Sequence, residues 1–151
     1  MHVVLIRATE SDIDFLLQLR SLTMGKYLAD SGAPTDSDSL MSRVRYEFEH
    51  AHIVQVNGQP AGLFKYRFMT QEQHWYLIQI QIHPSFQNRG LGKQLIESLI
   101  AQASTQNHSV VLSVLKNNPA RHLYHRLGFQ VTDQNDQEFI MTRFPNTIKQ
   151  D

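Results

Sequence analysis

The chain has 151 residues, 41% hydrophobic and 19% charged, with 14 basic against 14 acidic side chains and no cysteine. These values fit one globular α/β domain with a real core, expected over residues 1–145, followed by a loose C-terminal tail over 146–151. Zero formal charge with no Lys/Arg-rich stretch argues against nucleic acid as a partner. The lack of cysteine excludes a disulfide framework, a thiolate metal site and a cysteine nucleophile, and no metal site is expected. No apolar run approaches 18 residues, so no membrane partner is expected either. Met1-His2-Val3 opens a strand rather than a signal peptide, and the composition suits the cytoplasm.

Residues 3–8 form an opening strand, and Thr9 with Asp12 resembles a helix cap. Ile13, Leu16, Leu17, Met24 and Tyr27 mark one helix face, with Gly25 as an interruption. Ser31-Gly32-Ala33-Pro34 breaks the chain, and a second helix is predicted over residues 36–49 on Leu40, Val44 and Phe48. Residues 53–56, the Asn57-Gly58 turn and residues 61–68 make a hairpin. Residues 70–73 turn the chain, with Glu72 and His74 solvated, into the alternating strand Tyr76-Leu77-Ile78-Gln79-Ile80-Gln81-Ile82. His83 and the breaker Pro84 end it.

Next comes Gln87-Asn88-Arg89-Gly90-Leu91-Gly92-Lys93, followed by helical apolar spacing at Leu91, Leu95, Ile96, Leu99, Ile100 and Ala103. Strand, glycine loop and helix N-terminus bring together backbone amides without intrahelical partners and the positive end of a helix dipole. That combination favours a phosphate or diphosphate, with Gly90 and Gly92 admitting it close to the main chain and Arg89 and Lys93 adding charge. A P-loop would need glycine at Gln87 and a hydroxyl at Gln94, and a dinucleotide fingerprint would need glycine at Leu95. Both fail. A Gly-x-Gly can also be no more than a tight strand-to-helix turn.

A second motif follows a short buried strand over residues 109–114. Pro119 suits a first helical turn with Asn117 or Asn118 as cap, Ala120, Leu123, Tyr124 and Leu127 form an apolar face, and Gly128 stops the helix. Residues 130–132 and 138–142 close the chain as a hairpin whose exposed edge offers pairing into a homodimer. His122 and His125, three apart on the short helix, have ligand-like spacing without a third partner, and His50 and His52 flank a helix-to-strand junction.

With both motifs in hand, the chain resembles the GCN5-related N-acetyltransferases from about Ile6 to Met141. That family carries Gln/Arg-x-x-Gly-x-Gly/Ala after a strand, then Asn seven residues before a Tyr closely followed by Gly-Phe, as Gln87 to Gly92 and Asn117, Tyr124, Gly128 and Phe129 do here. The resemblance implies the acyl-CoA N-acyltransferase fold, a mixed, mostly antiparallel central sheet with helices on both faces. It implies acetyl-CoA as cofactor and a small-molecule or peptide amine as acceptor, joined in a ternary complex. Backbone groups of Ile80, Gln81 and Ile82 would pair with the pantetheine arm, and the amides from Asn88 to Lys93 would hold the diphosphate. Asn117 would contact the cofactor beyond the thioester. Tyr124 would protonate the departing thiolate, although its spacing from Ala120 and Leu127 equally suits packing. Met24 and Tyr27, with Tyr46 and Phe48, fall where the family walls its acceptor pocket.

The general base is less legible. Deprotonating a lysine-like amine of pKa ~10.4 at neutral pH costs roughly 4–5 kcal/mol, against about 1 kcal/mol for an α-amino group. Many relatives carry a Glu on the strand before the loop, where this chain has Gln79 and Gln81, which take no proton. His83 is the nearest titratable candidate, with a plain loop histidine as its other reading. A domain that holds acyl-CoA as a sensor, without turnover, is the competing class.

Overall fold

A computed structural model of the chain describes residues 1–145, so the expected tail over 146–151 lies outside the described residues. The strands are β1 (Val3–Arg7), β2 (Ala51–Val56), β3 (Gln59–Met69), β4 (His74–Ile82), β5 (Ser109–Leu115), β6 (Gln130–Gln134) and β7 (Glu138–Arg143). The helices are α1 (Ile13–Asp30), α2 (Ser37–Arg45), α3 (Leu91–Thr105) and α4 (Ala120–Arg126). One seven-stranded sheet results, in the order β1-β2-β3-β4-β5-β7-β6. The β1–β2, β2–β3, β5–β7 and β6–β7 pairs are antiparallel, whereas β4 and β5 run parallel from His74↔Ser109 to Leu77↔Leu112. This is the mixed, mostly antiparallel sheet expected from the sequence. No helix among the described residues is long and apolar enough to cross a membrane.

The described residues form two compact units, one of Met1–Tyr66 with Gln79–Gly92, the other of Arg67–Ile78 with residues 93–145. In the first, Ile13, Leu16 and Leu19 of α1 recur at helical spacing and join Val44, Ala51, Ile53 and Leu63 in one apolar cluster. The Asp12 carboxylate accepts the Thr9 N–H at 2.8 Å, which closes the entry to α1 as the sequence suggests. At the hairpin, Asn57 (φ 52°) and Gly58 (φ 82°) both adopt the left-handed conformation that a tight two-residue turn demands. In the second unit, Leu95, Ile96, Leu99 and Ala103 of α3 are buried, as are Val110, Leu112 and Val114 of β5.

Two predicted boundaries are corrected. Gly25 does not interrupt the first helix: α1 runs through it, and a Cβ there would come no closer than 3.9 Å to Ser21 Oγ. The second helix stops at Arg45 rather than near residue 49. Glu47 turns left-handed (φ 54°), and Phe48–His50 continue as a 3₁₀ turn with Phe48 against the apolar cluster. Its start is as expected, with Asp36 accepting from the Ser39 N–H at 3.2 Å.

Gly62 has a role its sequence context does not announce. An added Cβ would collide with the backbone oxygen of Gln81, so β3 approaches β4 here only because the side chain is absent. Gly62→Ala is expected to cost at least about 2 kcal/mol in urea unfolding, because the obstacle is main chain and cannot rotate away. Wild-type stability in that variant would mean the strands have slack.

Candidate active site

After Ile82 the chain leaves the sheet under tight local control. The His83 N–H donates to the Ala61 carbonyl at 2.7 Å, and Pro84–Phe86 form a 3₁₀ turn. The His83 Nδ1 atom accepts the Ser85 N–H at 3.1 Å, so a neutral imidazole carries its proton on Nε2. Gln87 Nε2 donates to the Ile82 carbonyl at 2.9 Å, tying the start of the loop to the end of β4. Asn88 (φ 64°) and Gly90 (φ 74°) are left-handed, and α3 begins at Leu91, itself buried. The first-turn amides of α3 therefore have no carbonyl four residues back to bind. An ideal Cβ at Gly90 or Gly92 meets nothing within 4 Å, which leaves the bulk of a diphosphate room beside the main chain.

Arg89 extends over the Phe86 ring, with its Cζ 5.3 Å from the centroid. His83 and Arg89 share a cavity of about 470 Å³ in the first unit with Phe15, Gln18, Gln59 and Phe86. Lys93 is exposed.

On β4 the burial runs opposite to side-chain polarity. Gln79 and Gln81 are buried, while Ile78, Ile80 and Ile82 are only half-buried. Gln79 Nε2 donates to the Arg43 carbonyl at 3.1 Å. Gln81 Oε1 is buried without a donor among the described residues.

The second motif is held from both ends. Asn118 Oδ1 accepts the Ala120 N–H at 2.9 Å, so Asn118, one of the two caps the sequence offers, supplies a helix-start bond. Arg121 Nε donates to the Lys116 carbonyl at 3.0 Å. At the far end the Phe129 N–H returns to the Tyr124 carbonyl at 3.0 Å, a closure made possible by left-handed Gly128 (φ 96°). Tyr124 is buried, its ring centroid 6.0 Å from that of Phe129, and burial pushes its hydroxyl up to about 12. The Gly-Phe pair thus fixes the turn of α4 that bears the tyrosine. His122 and His125 are exposed and belong to no group of three possible metal ligands among the described residues. The one such group there is Glu47, Glu49 and His50, on the surface around the 3₁₀ turn.

Met24 and Tyr27 lie half-buried on α1, and Tyr46 is half-exposed beneath the Arg43 guanidinium at 4.8 Å. Two buried cations in the first unit escaped the sequence reading. Lys65 on β3 is fully buried, its ammonium donating to the carbonyls of Arg43 (3.4 Å), Val44 (3.1 Å) and Tyr46 (2.6 Å). Arg20 is 6% exposed on the apolar face of α1, and burial, then the Arg43 charge, lowers its guanidinium to about 10. A signal was present: Arg20 stands seven residues after Ile13 and four after Leu16, and Lys65 alternates with Ala61 and Leu63.

Against this geometry, the sequence profile of the acetyltransferase (GNAT) family matches residues 15–129. The chain belongs to the GNAT family. The 5-NmdU N-acetyltransferase of Pseudomonas phage PaMx11 is 31% identical over 94 residues, a match spanning 62% of this chain and 66%, just under two thirds, of that relative. Among solved GNAT-like folds, an acetyltransferase from Thermus thermophilus superposes with TM-score 0.75 at 20% identity, covering 95% of this chain and 97% of that one. A PaiA N-acetyltransferase from Thermoplasma acidophilum, solved in complex with coenzyme A, superposes with TM-score 0.71 at 15% identity, covering 95% and 99%.

Proposed function

We propose that this GNAT chain moves an acetyl group from acetyl-CoA to a primary amine of a small molecule or peptide, by direct transfer in a ternary complex. The carrying observation is the Asn88–Gly92 turn: left-handed Asn88 and Gly90, helix-start amides, and open space where Cβ atoms would stand. Bound acetyl-CoA supplies the thioester carbon that the amine attacks. The amides from Asn88 to Lys93 then hold the diphosphate, and Gln87 works through its bond to Ile82 by fixing the loop. The half-buried isoleucines at 80 and 82 offer an apolar strip for the pantetheine arm, and the backbone of Ile80, Gln81 and Ile82 pairs with its amides. One of those N–H groups polarises the thioester carbonyl. Holding amine and thioester in attack geometry supplies a large part of the rate gain. Asn117 would contact the cofactor beyond the thioester, and Tyr124 would supply a hydrogen bond or proton to the departing thiolate. With Nε2 protonated and Nδ1 accepting from Ser85, His83 can take the amine proton, directly or through water, only by giving up the Ser85 bond, so a low-pKa amine suits this site best.

The N-acetyltransferase name of the phage relative supports an amine acceptor. Met24 and Tyr27 border that acceptor. The cysteine-free composition favours a cytoplasmic setting, and fully exposed β6 at the sheet edge is the surface for self-pairing. A second reading, an acyl-CoA sensor without turnover, is favoured by one observation: the buried polar positions of β4 are both glutamines.

Gly92→Trp tests the carrying observation. The position has no neighbour to displace, so the variant is expected to fold and to bind coenzyme A at least tenfold more weakly in calorimetry. Unchanged affinity would remove the loop from cofactor binding. Release of free coenzyme A with a panel of amines separates enzyme from sensor, which would bind without release.

A further inference from the structure

The first unit buries an arginine that no carboxylate among the described residues pairs with. Arg20 is 6% exposed, and its Nε is buried without an acceptor among the described residues. It makes no ion pair among those residues. The surrounding charge does not help: Arg43 and Lys65 are both cations, and each lies close enough to Arg20 to act on it or be acted upon. Lys65 has spent its three protons on the carbonyls at the end of α2. Glu47 and Glu49, the carboxylates that act on Lys65, lie 3.6 and 3.8 Å from His50 Nε2. Gln81 presents the opposite need, a buried Oε1 lacking a donor, while its neighbour Gln79 is satisfied at Arg43. Buried charges in proteins are ordinarily paired, and an arginine fork matches a carboxylate or phosphate with two parallel bonds.

We propose that the amine acceptor also carries an oxyanion, a carboxylate or a phosphate, and that Arg20 binds it while Gln81 Oε1 accepts from an N–H of the same molecule. This rests on the acetyltransferase reading above and narrows its substrate class to amines with an acidic group. Arg20 stands four residues before Met24 and seven before Tyr27, which puts the three on one face of α1. The anion supplies the counter-charge that the fold omits. The amine end is thereby oriented for transfer.

The test uses the full chain and primary amines of matched length ending in a carboxylate, a phosphate or a carboxamide. For wild type, kcat/KM with one of the two anionic amines is expected to exceed that with the carboxamide at least tenfold, and which anion wins identifies the group. Arg20→Gln is expected to bring the ratio near one by raising KM for the anionic amine, with KM for acetyl-CoA unchanged, and Arg20→Lys to recover part of it. A second readout needs neither turnover nor a folded glutamine variant. The Arg20 side-chain Nε–H resonance, recognised by its loss in Arg20→Lys, should shift saturably with the anionic amine and stay still with the carboxamide. A wild-type ratio near one in an active enzyme overturns the inference and leaves the acetyltransferase reading standing. No turnover with any amine, with the resonance still titrating, sinks that reading and keeps the Arg20 site. A resonance indifferent to every anion overturns the site.

Discussion

Replacing Lys65 with methionine is expected to destabilise the protein by about 2–4 kcal/mol at pH 7.5, and by more at pH 9.5. The ammonium carries three protons and donates them to three carbonyls at and just beyond the end of α2, where helical carbonyls have no partner of their own. Methionine fills the volume but leaves the Val44 and Tyr46 oxygens without this donor, while the Arg43 oxygen keeps Gln79. The pH dependence follows from burial, reinforced by the Arg43 and Arg20 charges, which holds the Lys65 pKa at about 8 against an ordinary 10.5. A lysine with its folded pKa below the unfolded one binds fewer protons in the native state between those values. Stability therefore climbs as pH rises from about 8 toward 10.5. By pH 9.5 the gain is roughly 2 kcal/mol for wild type, and the neutral amine still has two protons for the carbonyls. The methionine variant lacks this rise. Urea unfolding of both proteins at the two pH values measures it, and a gap that stays constant would mean that Lys65 is not held in the buried state described.

Local signals carried most of the fold. Asn57-Gly58 between two apolar runs specifies a tight turn through its own backbone preferences, and Thr9 with Asp12 specifies a helix entry through one side-chain bond. Local sequence misleads where distant residues overrule neighbours. Gly25 reads as a break because glycine weakens a helix, by up to about 1 kcal/mol, yet the apolar face from Ile13 to Leu19 is enough to carry α1 through it. The end of α2 was invisible for a related reason. Leu40, Val44 and Phe48 continue the helical spacing, whereas the chain turns at Glu47 and Phe48 reaches the apolar cluster from a 3₁₀ turn.

At the site, the sequence disclosed positions more readily than surroundings. The conformation of the glycine loop was legible because it is a main-chain matter, set by where strand, glycine and helix follow one another. Gln87 appeared as a motif letter, but its bond to the Ile82 carbonyl depends on how the turn folds back. Gln79 and Gln81 look like the solvent side of an alternating strand. Tertiary packing buries both: α2 presents the Arg43 carbonyl to Gln79, whereas the Gln81 Oε1 is buried without a donor among the described residues. Arg20 and Lys65 follow the same logic: charged residues on apolar faces, conspicuous only when burial is taken seriously as a cost.

Tyr124→Phe is expected to lower kcat about 100-fold, near 2.7 kcal/mol of barrier, while KM for acetyl-CoA moves by no more than about twofold. The size follows from the hydroxyl's acidity. Burial pushes it up to about 12, against about 8.5 for an ordinary thiol, so complete transfer of its proton to a thiolate is uphill by roughly 3–4 pKa units. In the proposed reaction Tyr124 would therefore act mainly by hydrogen-bonding to the negative charge growing on sulfur, an interaction stronger in the transition state than in the bound thioester. Such a donor changes kcat and leaves binding nearly untouched. The same acidity fixes a pH signature: because the folded pKa lies above the ordinary value of 10, the hydroxyl stays protonated through pH 10, and the wild-type rate shows no fall from its ionisation below about pH 11. Phenylalanine keeps the ring that lies 6.0 Å from Phe129, so the variant should unfold within about 1 kcal/mol of wild type. An unchanged kcat in that folded variant would assign Tyr124 to packing, and the leaving thiolate would then have to be stabilised by main-chain donors alone.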